Sequence, residues 1–99
     1  MIDNYLDLHK KYILIYGEEN TVVLSQIGGF YECYAILTEG PNLKKLSNIL
    51  GCAITRKDKS IIEISRKNHN LIGFPVFSLD KHIKKLLDVM GIKYIHPDG

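Results

Sequence analysis

Two residues of this 99-residue chain have the types and spacing to act together on a ligand: Phe30 and Glu32, directly after the glycine pair Gly28-Gly29. An aromatic ring and a carboxyl two positions apart share one face of an extended strand. The ring can stack on a flat partner while the acid makes a directed hydrogen bond beside it. Tandem glycines supply positive φ or close approach at little steric cost, so Gly28 and Gly29 are expected to form the turn that presents the pair. Other chemistries lack their parts. There is no Walker loop, nucleophile elbow, zinc signature or dinucleotide fingerprint, and Gly28-Gly29 is too short to cradle phosphates. Acid–base catalysis needs two converging acids, and only Glu32 stands among residues suggestive of a site. His9, His69, His82 and His96 occur singly, without metal-ligand spacing, and are expected as exposed or partly buried side chains. Cys33 and Cys52 have no motif spacing and are expected as free, small apolar residues of a reducing compartment. The expectation is a binding module, not an enzyme, with no catalytic residue, metal or cofactor of its own.

The elements that must position Phe30 and Glu32 follow from periodicity. Ile2, Tyr5, Leu6, Leu8, Tyr12, Ile13 and Tyr16 recur at helical gaps, predicting an amphipathic helix that Gly17 ends. Thr21 to Ile27 is β-branched and compact, predicting a buried strand, and Phe30 to Leu37 predicts a second strand closed by Glu39-Gly40-Pro41-Asn42. On that second strand Phe30, Glu32 and Tyr34 share one face, and Tyr31, Cys33 and Ala35 the other. Packing is the expected task of Tyr31 and Tyr34. Asn42 is placed to cap a helix through Leu43, Leu46, Ile49 and Leu50, stopped by Gly51. Cys52 to Thr55 and Ile61 to Ser65 are expected to pair as a hairpin across the polar loop Arg56 to Ser60. Leu71 to Pro75 is extended; Ser78 then caps a helix with Leu79, Ile83, Leu86, Leu87 and Met90 on its apolar face. Gly91 stops it, and Ile92 to Ile95 is a last strand. The order α-β-β-α-β-β-α-β predicts a single mixed α+β domain over residues 1–99, a mixed sheet flanked by helices.

Composition bounds the partners. The longest apolar runs fall well short of the roughly 20 residues that cross a bilayer, and the start lacks a basic signal-peptide region. An intracellular protein without a membrane partner is expected. The net charge is +2, but residues 1–40 carry only Lys10 and Lys11 against six acids, whereas residues 41–99 carry eleven Lys and Arg against five acids. The second part suits a polyanion, and the first does not. Arg56, Lys57, Lys59, Arg66, Lys67, Lys81 and Lys84 are the candidate phosphate contacts.

Gln26-Ile27-Gly28-Gly29-Phe30-Tyr31-Glu32 resembles the segment of the MutS mismatch-repair family in which a Met-Gly-Asp or Met-Gly-Ser step precedes Phe-Tyr-Glu. Two further segments resemble the family's N-terminal domain in the same order. Leu46 to Leu50 with Ala53 to Lys57 is similar to its helix end and following strand, and Gly73 to Leu86 to its Gly-Ile/Phe-Pro step and the helix beyond. Together they cover the chain from about Tyr5 to Tyr94. The resemblance implies a mismatch-recognition domain in which Phe30 enters the minor groove and stacks on a mispaired base, Glu32 hydrogen-bonds that base, and Gly28 and Gly29 place them. A wedge unstacks a base step and kinks the duplex at a cost of a few kcal/mol, which is lower where pairing is already broken. Selection is therefore by deformability rather than by sequence. Near phosphates Glu32 is expected to bind as the neutral acid and to penalise homoduplex. The implied partners are mismatched double-stranded DNA, the family's remaining domains and a second subunit. ATP and Mg²⁺ belong to the family's ATPase domain, which 99 residues cannot hold, so an excised piece or a truncated relative is expected.

The sequence departs from the family at Gly29, where a side chain that could hold the loop is missing, and at Pro97-Asp98-Gly99, where the family continues its last strand. The alternative is a protein-interaction or scaffold domain of the same fold that has lost DNA contact; intact Phe30 and Glu32 argue against it. A metal-dependent nuclease lacks its acid cluster.

Overall fold

A computed structural model describes residues 2–90. The elements are α1 (Ile2–Tyr16), β1 (Ser25–Ile27), β2 (Phe30–Ala35), α2 (Leu43–Leu50), β3 (Thr55–Arg56), β4 (Asn70–Pro75) and α3 (Leu79–Met90), with short 3₁₀ turns at Glu18–Asn20 and Val76–Ser78. The chain is a small mixed α/β domain. Its four described strands form one sheet in the order β1-β2-β4-β3, every neighbouring pair antiparallel. The expected Gly91 stop and the strand Ile92 to Ile95 lie outside the described residues. None of the described helices is long and apolar enough to cross a membrane.

Local signals act where they were expected. Gly17 N–H bonds back to Ile13 O at 2.8 Å and closes α1. The Asn42 side chain accepts from Lys45 N–H at 3.1 Å, and Gly51 ends α2 in the left-handed region. Gly28 and Gly29 form a two-residue hairpin turn, since Ile27 pairs with Phe30. Only Gly28 has positive φ, +57°, as in the hairpin turn whose first central residue alone requires glycine.

Strand pairing differs from the expectation in three places. Residues 21–24 do not join β1; the Val23 carbonyl instead accepts from the Tyr5 hydroxyl at 2.7 Å and the Cys33 thiol at 3.5 Å. β2 ends at Ala35 rather than Leu37, because Ile36 N–H turns to Glu39 O. The hairpin of Cys52 to Thr55 with Ile61 to Ser65 does not form. Thr55 and Arg56 pair with Leu71 and Asn70 of β4, and in the 61–65 stretch the only bridge is Ser65 with Asn68. The reason is Asn68, 3 % exposed, whose amide nitrogen donates to Ile61 O and Glu63 O while its oxygen accepts from Asp58 N–H. A side chain thus takes backbone groups that a strand partner would have used. Ser78 also departs: it lies in the 3₁₀ turn and its hydroxyl donates to Pro75 O.

The core contains Cys33, Tyr34 and Ala35 of β2, Ile72 and Phe74 of β4, Tyr5 and Leu6 of α1, Leu43, Leu46 and Leu50 of α2, and Leu86 of α3. Tyr31, Cys33 and Ala35 share a face with Phe74, Ile72 and Asn70. α3 closes on that face through His82, whose ring stacks on Phe74 at 4.1 Å and 9°. The histidines are more deeply placed than expected: His9, His69 and His82 are all buried.

Candidate functional site

β2 carries Phe30 and Glu32 on the same face, and β4 runs beside it with Pro75 opposite Phe30 and Gly73 opposite Glu32. On the other side, β1 sets Ile27 opposite Phe30 and Ser25 opposite Glu32. Phe30 is 51 % exposed, a large ring projecting at the strand's start, while Glu32 is half-buried. The turn is held by more than its own hydrogen bonds: Val76 N–H donates to Gly29 O at 2.9 Å, tying the hairpin tip to the chain leaving β4. A Cβ at Gly29 would meet nothing within 4 Å, so the space around it is open.

The apolar character of this end is broader than two residues. Ile27 and Phe77 are also exposed, Phe77 in the 3₁₀ turn that Val76 anchors to Gly29. Sequence reasoning missed Phe77, which resembles a core position in a run read as the approach to a helix. Its signal was local: a phenylalanine between Pro75 and the start of α3 has no helical or strand face to be buried on.

The basic residues divide between the two ends of the sheet. Arg56 pairs with Asn70, which also pairs with Ala35, five residues along β2 from Phe30. At about 3.3 Å per residue that is roughly 17 Å away. Lys57 and Lys59 follow Arg56 into the same loop, and Arg66 and Lys67 return from it toward Asn70. Arg66 is engaged there with Asp3 of α1 and, through two contacts at 2.7 and 2.9 Å, with Glu39. One Arg56 guanidinium nitrogen donates to Lys59 O at 3.4 Å. Lys81 and Lys84, both exposed, belong to α3, the element that starts beside the Phe30 end.

Glu32 has a partner that sequence reasoning did not foresee. The Tyr34 hydroxyl donates to Glu32 Oε1 at 2.6 Å. Tyr34 is 1 % exposed, its ring edge-on to Tyr5 at 5.0 Å and to His69 at 4.7 Å. Burial, and then the adjacent Glu32 carboxylate, push the Tyr34 phenol well above its ordinary value, so it stays a donor.

The cysteines are free. Burial pushes the Cys33 thiol up to about 12, and the partly buried Cys52 thiol lies 3.7 Å from His82 Nε2. Among the described residues no three His, Cys, Asp or Glu side chains converge as a metal site requires. A cleft of about 220 Å³ between α1, the first 3₁₀ turn and the start of α2 is lined by His9, Glu18, Thr21, Asn42, Lys45 and Met90, among others, and includes neither Phe30 nor Glu32.

Compared with known proteins, the chain matches no family model and no curated protein.

Proposed function

We propose that this chain is the mismatch-recognition module of a MutS-like DNA repair protein, with Phe30 as the wedge and Glu32 as the discriminating acid. The observation that carries the reading is the half-exposed Phe30 at the tip of a tied two-glycine hairpin, with Glu32 on the same strand face. A core phenylalanine would be covered, and a solvated loop would not hold a ring at a fixed angle. Inserted into the minor groove, the ring replaces a lost base stack, and base–aromatic stacking contributes about 1–3 kcal/mol. Unstacking a paired step costs a few kcal/mol and a mispaired step less, so the balance favours a lesion. Glu32 sharpens the choice: near phosphates a carboxyl is unfavourable unless it takes up a proton and donates to a base atom that homoduplex keeps occupied.

In this reading Lys81 and Lys84 meet phosphates of the bound duplex, while the loop with Arg56, Lys57, Lys59 and Lys67 meets only a duplex that runs on along the sheet. Few phosphate contacts mean weak, salt-sensitive binding by this module alone. Stable binding, dimer formation and ATP and Mg²⁺ use are accordingly assigned to other domains of such a protein.

The test is a titration of the longest natural polypeptide carrying this chain against duplexes identical but for one G·T mispair. Wild type should prefer the mispaired duplex, Phe30→Ala should lose that preference, and Glu32→Ala should raise homoduplex affinity. Equal affinity of wild type for both duplexes would defeat the reading.

A further inference from the structure

We infer that Tyr34 is a positioning residue for Glu32, holding one carboxylate oxygen so that the other faces the ligand; the inference rests on the mismatch-recognition reading above. Tyr34 and Glu32 are alternate residues of one strand, and their contact, 2.6 Å from phenol oxygen to Oε1, lies in the range of a charge-assisted O–H···O⁻ bond. The donor end is immobile. The Tyr34 ring is buried, held edge-on by Tyr5 from α1 and by His69 from the segment entering β4. A glutamate in the middle of a strand ordinarily samples several rotamers, and ordering a long side chain costs up to about 2 kcal/mol of entropy. Tyr34 meets that cost before any ligand arrives.

The opposite side of Glu32 is equally specific. Gly73 sits directly across on β4, and a Cβ there would lie 3.2 Å from Glu32 Cγ, 3.7 Å from Oε2 and 3.1 Å from Tyr31 O. The carboxyl group therefore lies over a bare stretch of β4 backbone that a larger residue would crowd. With Oε1 held by Tyr34, Oε2 is the oxygen left for a base. Preorganisation of this kind affects discrimination rather than bulk affinity, because homoduplex offers Glu32 nothing to bind.

Tyr34→Phe removes the hydroxyl and keeps the ring between Tyr5 and His69. In the G·T and homoduplex titration it should lower the mismatch preference about 5- to 10-fold, the loss of one hydrogen bond's worth of orientation, and leave homoduplex affinity within about 2-fold. In a Glu32→Ala background the same substitution should change neither affinity. A purely structural tyrosine would instead weaken both duplexes together and act equally with or without Glu32, which would overturn the inference. Gly73→Ala gives an independent approach should Tyr34→Phe fold poorly: it crowds Glu32 with the tyrosine intact and should reduce preference only when Glu32 is present. Unchanged preference in Gly73→Ala, or in a folded Tyr34→Phe, overturns the role of positioning while wild-type preference and its loss in Phe30→Ala keep the underlying reading. Absence of any wild-type preference overturns both.

Discussion

At one end of β2 Phe30 stands half in solvent on a two-residue turn; at the other, Cys33, Tyr34 and Ala35 are at most 7 % exposed, within the core. Gly40 marks the closed end: its φ is +98°, and a Cβ there would lie 2.7 Å from Tyr34 O. Gly29 marks the open one, with empty space around it. One strand thus has an end that packing fixes and an end that packing leaves free. Binding residues belong at the second, since burying them would remove the surface they use. Tyr34 joins the two by reaching from the closed end to hold Glu32.

Substitutions should separate the ends by size of effect. Ile72→Ala, in the core on the central strand β4, should cost about 2–5 kcal/mol in chemical denaturation. Asn68→Ala deletes three hydrogen bonds that organise the loop at the closed end and should cost about 2–3 kcal/mol. Phe30→Ala should change stability by less than about 1 kcal/mol while abolishing mismatch preference. A loss as large as that of Ile72→Ala would mean the open end is core and would break the comparison. Arg66→Ala should give a small loss that fades as salt is raised, because its pairs with Asp3 and Glu39 are exposed.

Acid should weaken the closed end first. Burial holds His9 and His69 below the ordinary histidine value of 6.5, opposed for His9 by Glu18 and for His69 mainly by its interaction with the Arg66 backbone. The unfolded chain then takes up protons at higher pH than the fold does. Stability from this source is complete above about pH 6.5 and falls as pH drops toward the folded values. Thermal unfolding followed from pH 7 to 5 should show a falling midpoint, and a His9→Gln, His69→Gln double variant should flatten it.

Periodicity, caps and glycines by themselves determined α1, α2, the body of α3, the Gly28-Gly29 turn and the strand that bears Phe30 and Glu32. Each is encoded by neighbours within about one turn of chain, where burial pattern and backbone preference agree. The pairing of β3 with β4, the central place of β4, the stack of His82 on Phe74 and the Tyr34 to Glu32 bond were decided only by tertiary structure. Ile61 to Ser65 has strand-forming residues, yet the buried Asn68 amide takes its carbonyls. Strand partners and side-chain contacts depend on which distant residue wins a shared space, and one strand's composition does not hold that information. The glycine pair and the strand that carry Phe30 were therefore legible, whereas the backbone bond from Val76 to Gly29 that ties their hairpin became visible only when the sheet had formed.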